Sequence, residues 1–135
     1  MVSAEVLGDR VLDLTKVYLK KVDLICRMGD YLGVAMVCDR AIEFLEHIAS
    51  EKADPEVYRQ LAEAYRYKGL ATDHFDQPRD SVELFTKSIT IWERLFNQDK
   101  RQELAFYFGQ AKANRGEALI ALGKKSEGLE DVLLR

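Results

Sequence analysis

The residues that could do chemistry are few, and they lie far apart along the chain. The 135 residues include only two histidines, His47 and His74, on different predicted elements, so the spacing of a two-histidine metal site is absent. The segment from Asp73 to Asp76 carries two carboxylates, but it lacks the length and oxygen spacing of a calcium loop. We interpret this segment as a polar turn and expect no metal site.

Cysteine, serine and acidic side chains give no better signal for catalysis. Cys26 and Cys38 are expected to be small buried residues on neighbouring helices, and the alternative is a redox pair, which needs their Cα atoms within about 7 Å. No glycine-rich phosphate loop follows a strand, and no serine or cysteine has the setting of a known nucleophile. Glu43 and Glu46 are spaced like solvent-facing residues of one helix. We expect no enzyme activity and no cofactor.

Charge and composition exclude two classes of partner. With 20 basic and 23 acidic residues the formal net charge is -3, which leaves no electrostatic footprint for nucleic acid. No stretch approaches the roughly 20 apolar residues of a membrane-spanning helix, and the N-terminus lacks the basic start and apolar core of a secretory signal. We therefore expect a cytoplasmic protein that binds neither nucleic acid nor membrane.

The elements that must position these side chains are predicted to be helices. Hydrophobic residues make up 47% and charged residues 32% of the chain, and the apolar residues, such as Val11 and Leu14 in the first helix, recur at spacings of three and four. Turn residues divide this pattern into six helices. Their expected ranges are about 3–28, 31–50, 54–68, 78–96, 99–123 and 126–135.

Capping residues predict where these helices begin. Asp and Ser can accept the free backbone N–H groups of a first turn, and the expected caps are Ser3, Asp30, Asp54, Asp99 and Ser126. Pro55 presets the first turn of the third helix, and Asp80 and Glu83 have the spacing of a capping box for the fourth.

Glycines predict where the odd-numbered helices end, because glycine tolerates the left-handed backbone of a helix C-terminus. We expect Gly29, Gly69 and Gly123 to close the first, third and fifth helices. The segment 70–77 is then the one stretch with loop character, and it delays the start of the fourth helix.

A repeat emerges when the chain is aligned on these glycines. Val34, Ser81 and Gly128 stand 47 residues apart, and four residues after each of them comes an apolar residue. These apolar residues are Cys38, Phe85 and Val132. A single helix pair cannot bury its apolar face, so repeated pairs must stack.

The middle unit carries a bulky residue, a leucine, a small residue and a tyrosine ahead of Gly69. These are Tyr58, Leu61, Ala62 and Tyr65. The last unit keeps Gly116, Leu119 and Gly123 at corresponding places, and the first has Tyr18, Val22, Ile25 and Gly29. This pattern resembles the tetratricopeptide repeat (TPR) family, although the units exceed the usual 34 residues and the closing proline is missing from the middle unit.

The resemblance implies an all-α fold, a right-handed α–α superhelix of three antiparallel helix pairs at about 3–50, 54–97 and 99–135. The pairs would form one domain, either a whole protein or a piece of a longer array. The rival folds are another helical solenoid or an irregular six-helix bundle. Trp92 is expected in the core, and of Phe96, Phe106, Tyr107 and Phe108 one is expected to be partly exposed.

The resemblance also implies a module that binds a protein or peptide in a concave groove lined by the first helix of each pair. The residues expected to contact the partner are Leu19, Asp23, Arg27, Arg59, Glu63, Arg66, Tyr67, Gln110, Asn114 and Glu117. Glu63 and Glu117 replace the amides with which one TPR subtype grips acidic peptide tails, so a segment with scattered basic and apolar residues is expected.

Self-association is the alternative function. The last predicted helix is about half as long as its counterparts, and a helical stack normally ends in a polar capping helix. Leu129, Val132 and Leu133 would leave the last unit incompletely covered. A homodimer or a regulatory domain of a larger protein would follow from this alternative.

Overall fold

The computed structural model describes residues 4–52 and 54–133, with the side chains of 4–9, 11, 125 and 126 left out. The described residues form six α-helices and no strand, so the prediction of an all-helical fold is confirmed. The helices are α1 (Ala4–Arg27), α2 (Tyr31–Glu51), α3 (Pro55–His74), α4 (Pro78–Gln98), α5 (Gln102–Ala121) and α6 (Lys125–Leu133). The predicted cap Ser3, the side chain of Val11, the capping side chain of Ser126 and the predicted end at Arg135 lie outside the described part.

Each helix packs against the next one in the chain. In addition α1 packs on α3, and α3 touches α5, whereas α2 and α4 do not contact each other. Contacts between neighbours run antiparallel: Ala62 of α3 accepts a hydrogen bond from Ser88 of α4 at 2.8 Å, and Gly69 lies against Phe85. The odd-numbered helices therefore form one connected layer.

Two predicted helix starts are confirmed. The Asp30 carboxylate accepts the Gly33 N–H at 3.0 Å at the start of α2, and Asp54 accepts the Glu56 N–H at 2.9 Å at the start of α3. Pro55 occupies the first turn of α3, as expected.

Two other predicted helix starts are wrong. The residue that precedes α4 is Gln77, which makes no side-chain cap, and Asp80 lies inside the first turn of the helix, so no capping box forms. Asp99 ends α4 and pairs with Arg101 at 2.6 Å instead of capping α5. Pro78 alone presets the start of α4, because its fixed φ suits a first helical turn.

Gly69 does not end α3, so that prediction is wrong, and the predicted loop at 70–77 is confirmed only for residues 75–77. The helix continues to His74, and Gly69 is buried within it. A Cβ atom on Gly69 would lie 2.5 Å from Cε1 of Phe85, so glycine is needed here for close contact between α3 and α4. The chain turns instead at Asp76, which takes a positive φ of 60°.

Gly29 and Gly123 do end α1 and α5, with φ values of 83° and 82°. In both turns the helix closes with the bonds of a Schellman motif, since the Asp30 N–H reaches the Ile25 carbonyl and the Lys124 N–H reaches the Leu119 carbonyl.

The repeat is regular and contains no insertion. The even-numbered helices begin at Tyr31, Pro78 and Lys125, 47 residues apart, and the odd-numbered helices end at the same interval, at Arg27, His74 and Ala121. The predicted repeat positions Val34, Ser81 and Gly128 are each the fourth residue of their helix, and all three are buried. By this interval Asp76 is the counterpart of Gly29 and Gly123, and Gly69 is the counterpart of Val22 and Gly116.

Both cysteines are free thiols in the first two helices. Cys38 is buried and Cys26 is half-buried. Burial, followed by the nearby charge of Asp39, raises the pKa of Cys38 to about 12. Burial also raises the pKa of Cys26. Both side chains are therefore uncharged at neutral pH, which suits packing better than nucleophilic chemistry.

Candidate functional site: a groove along the odd-numbered helices

An open groove of about 770 Å³ runs across α1, α3 and α5. Each helix contributes side chains spaced three or four residues apart, because such residues share one face of a helix. On α3 the series is Glu56, Arg59, Gln60, Glu63, Arg66 and Tyr67. On α5 it is Glu103, Phe106, Tyr107 and Gln110, and on α1 it is Lys16, Leu19, Lys20, Asp23 and Leu24.

Seven of the ten residues predicted to contact a partner line this groove. They are Leu19, Asp23, Arg59, Glu63, Arg66, Tyr67 and Gln110. The other three, Arg27, Asn114 and Glu117, do not line it. Arg27 is largely exposed and pairs with Asp23 at 3.1 Å, and Asn114 accepts a hydrogen bond from Arg66 at 3.4 Å. Glu117 is exposed farther along α5.

Sequence reasoning missed Lys16, Lys20, Glu103, Phe106 and Tyr107, among others. The 47-residue interval could have found most of them. Lys16 is the counterpart of Glu63 and Gln110, Lys20 is the counterpart of Tyr67, and Phe106 is the counterpart of Arg59. The misplaced middle turn hid this correspondence.

A buried ion pair lies on the floor of the groove. Arg66 donates from Nη2 to Glu63 at 3.1 Å and from Nε at 3.3 Å, and its guanidinium covers the Tyr67 ring at 4.5 Å. Burial alone would lower the pKa of Arg66, but the charge and hydrogen bonds of Glu63 outweigh it and raise the pKa. The two charges therefore neutralise each other inside the protein.

Two further contacts tie neighbouring odd-numbered helices together across the groove. The Tyr67 hydroxyl of α3 donates to Asp23 of α1 at 2.8 Å, and Arg59 of α3 donates to Glu103 of α5 at 2.5 Å. Burial, and then the hydrogen bond to Asp23, raises the pKa of Tyr67, so its hydroxyl stays protonated as a donor. Asp23 and Glu103 are thus both engaged by protein groups.

Lys16 and Lys20 are the lining cations without an ion pair among the described residues. They lie one helical turn apart on α1, and both are exposed. The remaining lining carboxylate, Glu56, accepts a hydrogen bond from Gln60 at 3.3 Å and lies in the first turn of α3, where the helix dipole favours a negative charge. The charge that the groove leaves available is therefore positive.

The opposite wall is aromatic. Phe106 of α5 is 66% exposed, and beside it Tyr107 stacks on Trp92 with a centroid distance of 5.0 Å. Trp92 is buried, as predicted, and Phe106 is the exposed member of the aromatic cluster. Trp92 Nε1 and Gln110 Oε1 are buried at the groove and have no hydrogen-bond partner in the described part of the chain. The groove thus joins a cationic wall to an apolar wall.

No protein-family model, no curated protein and no solved structure matches this chain. Among the described side chains, no group of three or more His, Cys, Asp or Glu residues is arranged to hold a metal ion. Within residues 4–52 and 54–133, no helix combines the length and the apolarity needed to cross a bilayer.

Proposed function

We propose that this chain is a TPR-like protein-interaction module, and that the groove of α1, α3 and α5 binds a short acidic and apolar segment of another protein. The observation that carries the proposal is the free cationic pair Lys16 and Lys20 opposite the exposed ring of Phe106. The right-handed superhelix belongs to the same proposal, and it is supported by the regular 47-residue interval and by the connected layer of odd-numbered helices.

Ion pairing within the protein decides the expected charge of the partner. The sequence alone favours a basic segment, because it counts Glu63 and Glu117 as free carboxylates on the groove. Glu63 is paired with Arg66, and Glu117 lies off the groove. An acidic side chain that approaches Lys16 and Lys20 gains charge-assisted hydrogen bonds, whereas a basic one meets like charge.

The size of the groove limits the length of the bound segment. The groove measures about 770 Å³ and crosses three helices, so it has room for a short segment rather than a whole domain. Such a segment can place one acidic residue on α1 and one large apolar residue on Phe106. An exposed aromatic anchor beside a polar rim is a common arrangement of binding energy at interfaces.

Peptide binding with paired lysine variants tests the charge of the groove. The probe is an array of synthetic 12-residue peptides that combine Asp or Glu with Leu or Phe, together with a matched set in which Lys or Arg replaces the acids. We expect the acidic set to bind, and Lys20→Glu to weaken binding about tenfold or more, a change of about 1.4 kcal/mol. The matched control is Lys21→Glu, because Lys21 is adjacent but does not line the groove. Preference for the basic set, or equal losses in both variants, would contradict the proposal.

A second pair of variants tests the aromatic wall. Phe106→Ala removes an exposed ring of the groove, and Phe44→Ala removes a similarly exposed ring of α2 that does not line it. We expect Phe106→Ala alone to weaken the best acidic peptide, by about 1 to 2 kcal/mol. Unchanged affinity in both variants would place the binding surface elsewhere. We propose no enzymatic role for the groove, and the expected cytoplasmic location stays a prediction from composition.

A further inference from the structure

The repeat interval predicts which face of each odd-numbered helix should be covered by the preceding even-numbered helix. On α3 this face carries Leu61, Ala64 and Ala71, all buried: Leu61 and Ala64 pack with Leu45 of α2, and Ala71 packs with Val34 of α2. On α5 the counterparts of the two alanines are Ala111 and Ala118, and both are fully buried. On α3 and α5 this face is thus apolar and buried, as expected where the preceding even-numbered helix covers it.

On α1 the same face is open. The counterparts of Leu61, Ala64 and Ala71 are Leu14, Val17 and Leu24, which are 47%, 60% and 61% exposed. Three large apolar side chains in one stripe form a patch of the kind that marks an interaction surface. Among the described residues, no even-type helix covers α1 in the way that α2 covers α3.

At the other end of the stack, no odd-type helix packs on α6 beyond α5 among the residues that the structure describes. In the first two units, one position of the even-numbered helix reaches the next odd-numbered helix: Asp39 pairs with Lys68 at 2.6 Å, and Thr86 accepts from Arg115 at 3.5 Å. Asp39 and Thr86 are counterparts, as are Lys68 and Arg115. In α6 this position is Leu133, which is 75% exposed, and Leu129, one turn earlier, is also exposed.

We propose that two copies of this chain stack head to tail, with α6 of one copy on the open face of α1 of the second copy. The interval then places Leu133 against the stem of Lys21, which is the counterpart of Lys68 and Arg115, and places Val132 near Leu24. The α6 end then covers the part of the open α1 face around Lys21 and Leu24, and the stack continues in register. The α1 surfaces of two copies are poor partners for each other, because Lys20 and Lys21 of both would meet near the centre of an antiparallel pair.

The geometry fixes the kind of assembly. The described part of α6 has nine residues, so it reaches only the half of α1 that carries Lys21 and Leu24. A contact of that size predicts weak association, with a dissociation constant on the order of hundreds of micromolar. A head-to-tail contact leaves a free end on every oligomer, so the average mass should rise beyond that of a dimer as concentration increases.

Mixing two singly blocked variants tests this arrangement. Leu24→Lys blocks the α1 face, and Leu133→Lys blocks the α6 end by opposing Lys21. Both new charges are positive, so the two blocked surfaces do not pair with each other in the mixture. Each variant alone should be monomeric by sedimentation equilibrium of the full chain, and an equimolar mixture should form a 1:1 dimer through the two intact ends. The control is Met36→Glu, an exposed position whose counterpart is the exposed Glu83, and it should associate like the wild type. No peptide is added, because Leu24 also borders the groove.

A charge variant at the same contact sharpens the test. Leu133→Asp recreates the Asp39–Lys68 type of pair with Lys21 of the second copy, so it should strengthen association several-fold, and more so at low salt. Three outcomes would overturn the proposal. They are a wild-type chain that stays monomeric up to one millimolar, a mixture of blocked variants that stays monomeric, and dimers that persist in Leu133→Lys but vanish in Leu24→Lys. The last outcome would indicate symmetric pairing of α1.

Discussion

In the hairpins α3–α4 and α5–α6 the two helices approach each other closely at the same repeat position, which we call the crossing. Different atoms fill the space there. Both odd-numbered helices have a glycine there, Gly69 and Gly116. A Cβ on Gly69 would lie 2.5 Å from the Phe85 ring, whereas a Cβ on Gly116 would lie 2.6 Å from the Gly128 carbonyl oxygen and 2.7 Å from Val132. In the middle hairpin a ring fills the hollow, and in the last hairpin the two backbones meet.

The first hairpin gives a third solution, since the corresponding residues are Val22 and Cys38, both fully buried. A larger residue on one helix is balanced by a smaller one on the other: Val22 with Cys38, and Gly69 with Phe85. What repeats every 47 residues is therefore a backbone position. The first two hairpins also keep a similar total side-chain volume there with different residues, whereas the last hairpin has less side-chain volume and closer backbones. This follows from close packing, which constrains summed volume more than residue type.

The largest expected effect comes from emptying the middle crossing. Phe85→Ala removes a ring that is 1% exposed, and we expect it to lower the free energy of unfolding by about 3–5 kcal/mol. Val132→Ala at the counterpart position removes a half-buried side chain, and the expected loss is about 1–2 kcal/mol. Urea denaturation at one pH measures both. Equal losses would mean that the two crossings depend on their large residue to the same degree.

The balance between a large and a small residue can be tested by placing the residue pair of the first hairpin, valine and cysteine, at positions 69 and 85 of the middle hairpin. Gly69→Val overpacks the crossing and Phe85→Cys empties it, so each alone should be destabilising. The double variant reproduces the Val22–Cys38 pair, and we expect it to be more stable than the sum of the single losses by about 2–3 kcal/mol.

A distant residue on the same helix provides the control for this cycle. Val57 lies twelve residues before Gly69 on α3, a distance of about 18 Å along the helix. Gly69→Val combined with Val57→Ala should be additive within about 0.5 kcal/mol. Additivity of Gly69→Val with Phe85→Cys as well would refute a shared volume at the crossing.

The pH dependence of stability tests the first crossing. Burial raises the pKa of Cys38 from 9.0 to about 12, so the unfolded chain loses this proton at a lower pH than the folded chain does. The unfolded state then binds fewer protons above pH 9, and stability falls as the pH rises from about 9 towards 12. At pH 11 the expected loss of stability from this group is on the order of 3 kcal/mol.

Cys38→Val introduces the residue type of its counterpart Val132. It should remove the part of the loss of stability above pH 9 that comes from the Cys38 thiol. Tyr65 and Tyr67 also have raised pKa values, because of burial, and they act equally in both proteins. The difference between wild type and variant in urea midpoints at pH 8 and pH 11 therefore isolates Cys38. Parallel pH profiles for the two proteins would show that the thiol does not titrate with folding.

How much of the fold the sequence predicts depends on how local the signal is. Asp30, Asp54 and Gly123 act within one turn of their own helix, and their effects were readable. Gly69 was expected to end its helix, but Asp76 forms the left-handed turn instead. Only the contact with Phe85, sixteen residues away, explains the glycine. The preference of glycine for left-handed turns correctly predicts the turns at Gly29 and Gly123, but it does not apply to Gly69, which is helical.

The candidate site shows the same division. Helical spacing places seven of the ten expected residues on the groove, because one face of a helix can be read from the sequence. The available charge could not be read, because it depends on pairs between helices such as Arg59 with Glu103, which are 44 residues apart. The sequence thus predicts which residues share this face of the helices, whereas the charge that the groove leaves unpaired depends on contacts between helices.

The smallest expected effect is at the middle turn, and it separates the two roles of glycine. Asp76 has a φ of 60°, whereas its counterparts Gly29 and Gly123 have φ values of 83° and 82°. A left-handed aspartate carries a strain that glycine lacks, but glycine adds entropy to the unfolded chain, so Asp76→Gly should stabilise by only about 0.5 kcal/mol. Gly29→Ala, which meets no atom within 4 Å, should destabilise by about 1 kcal/mol through φ alone. Thermal unfolding measures both, and a loss in Asp76→Gly would mean that the aspartate side chain stabilises the turn by more than its backbone strain.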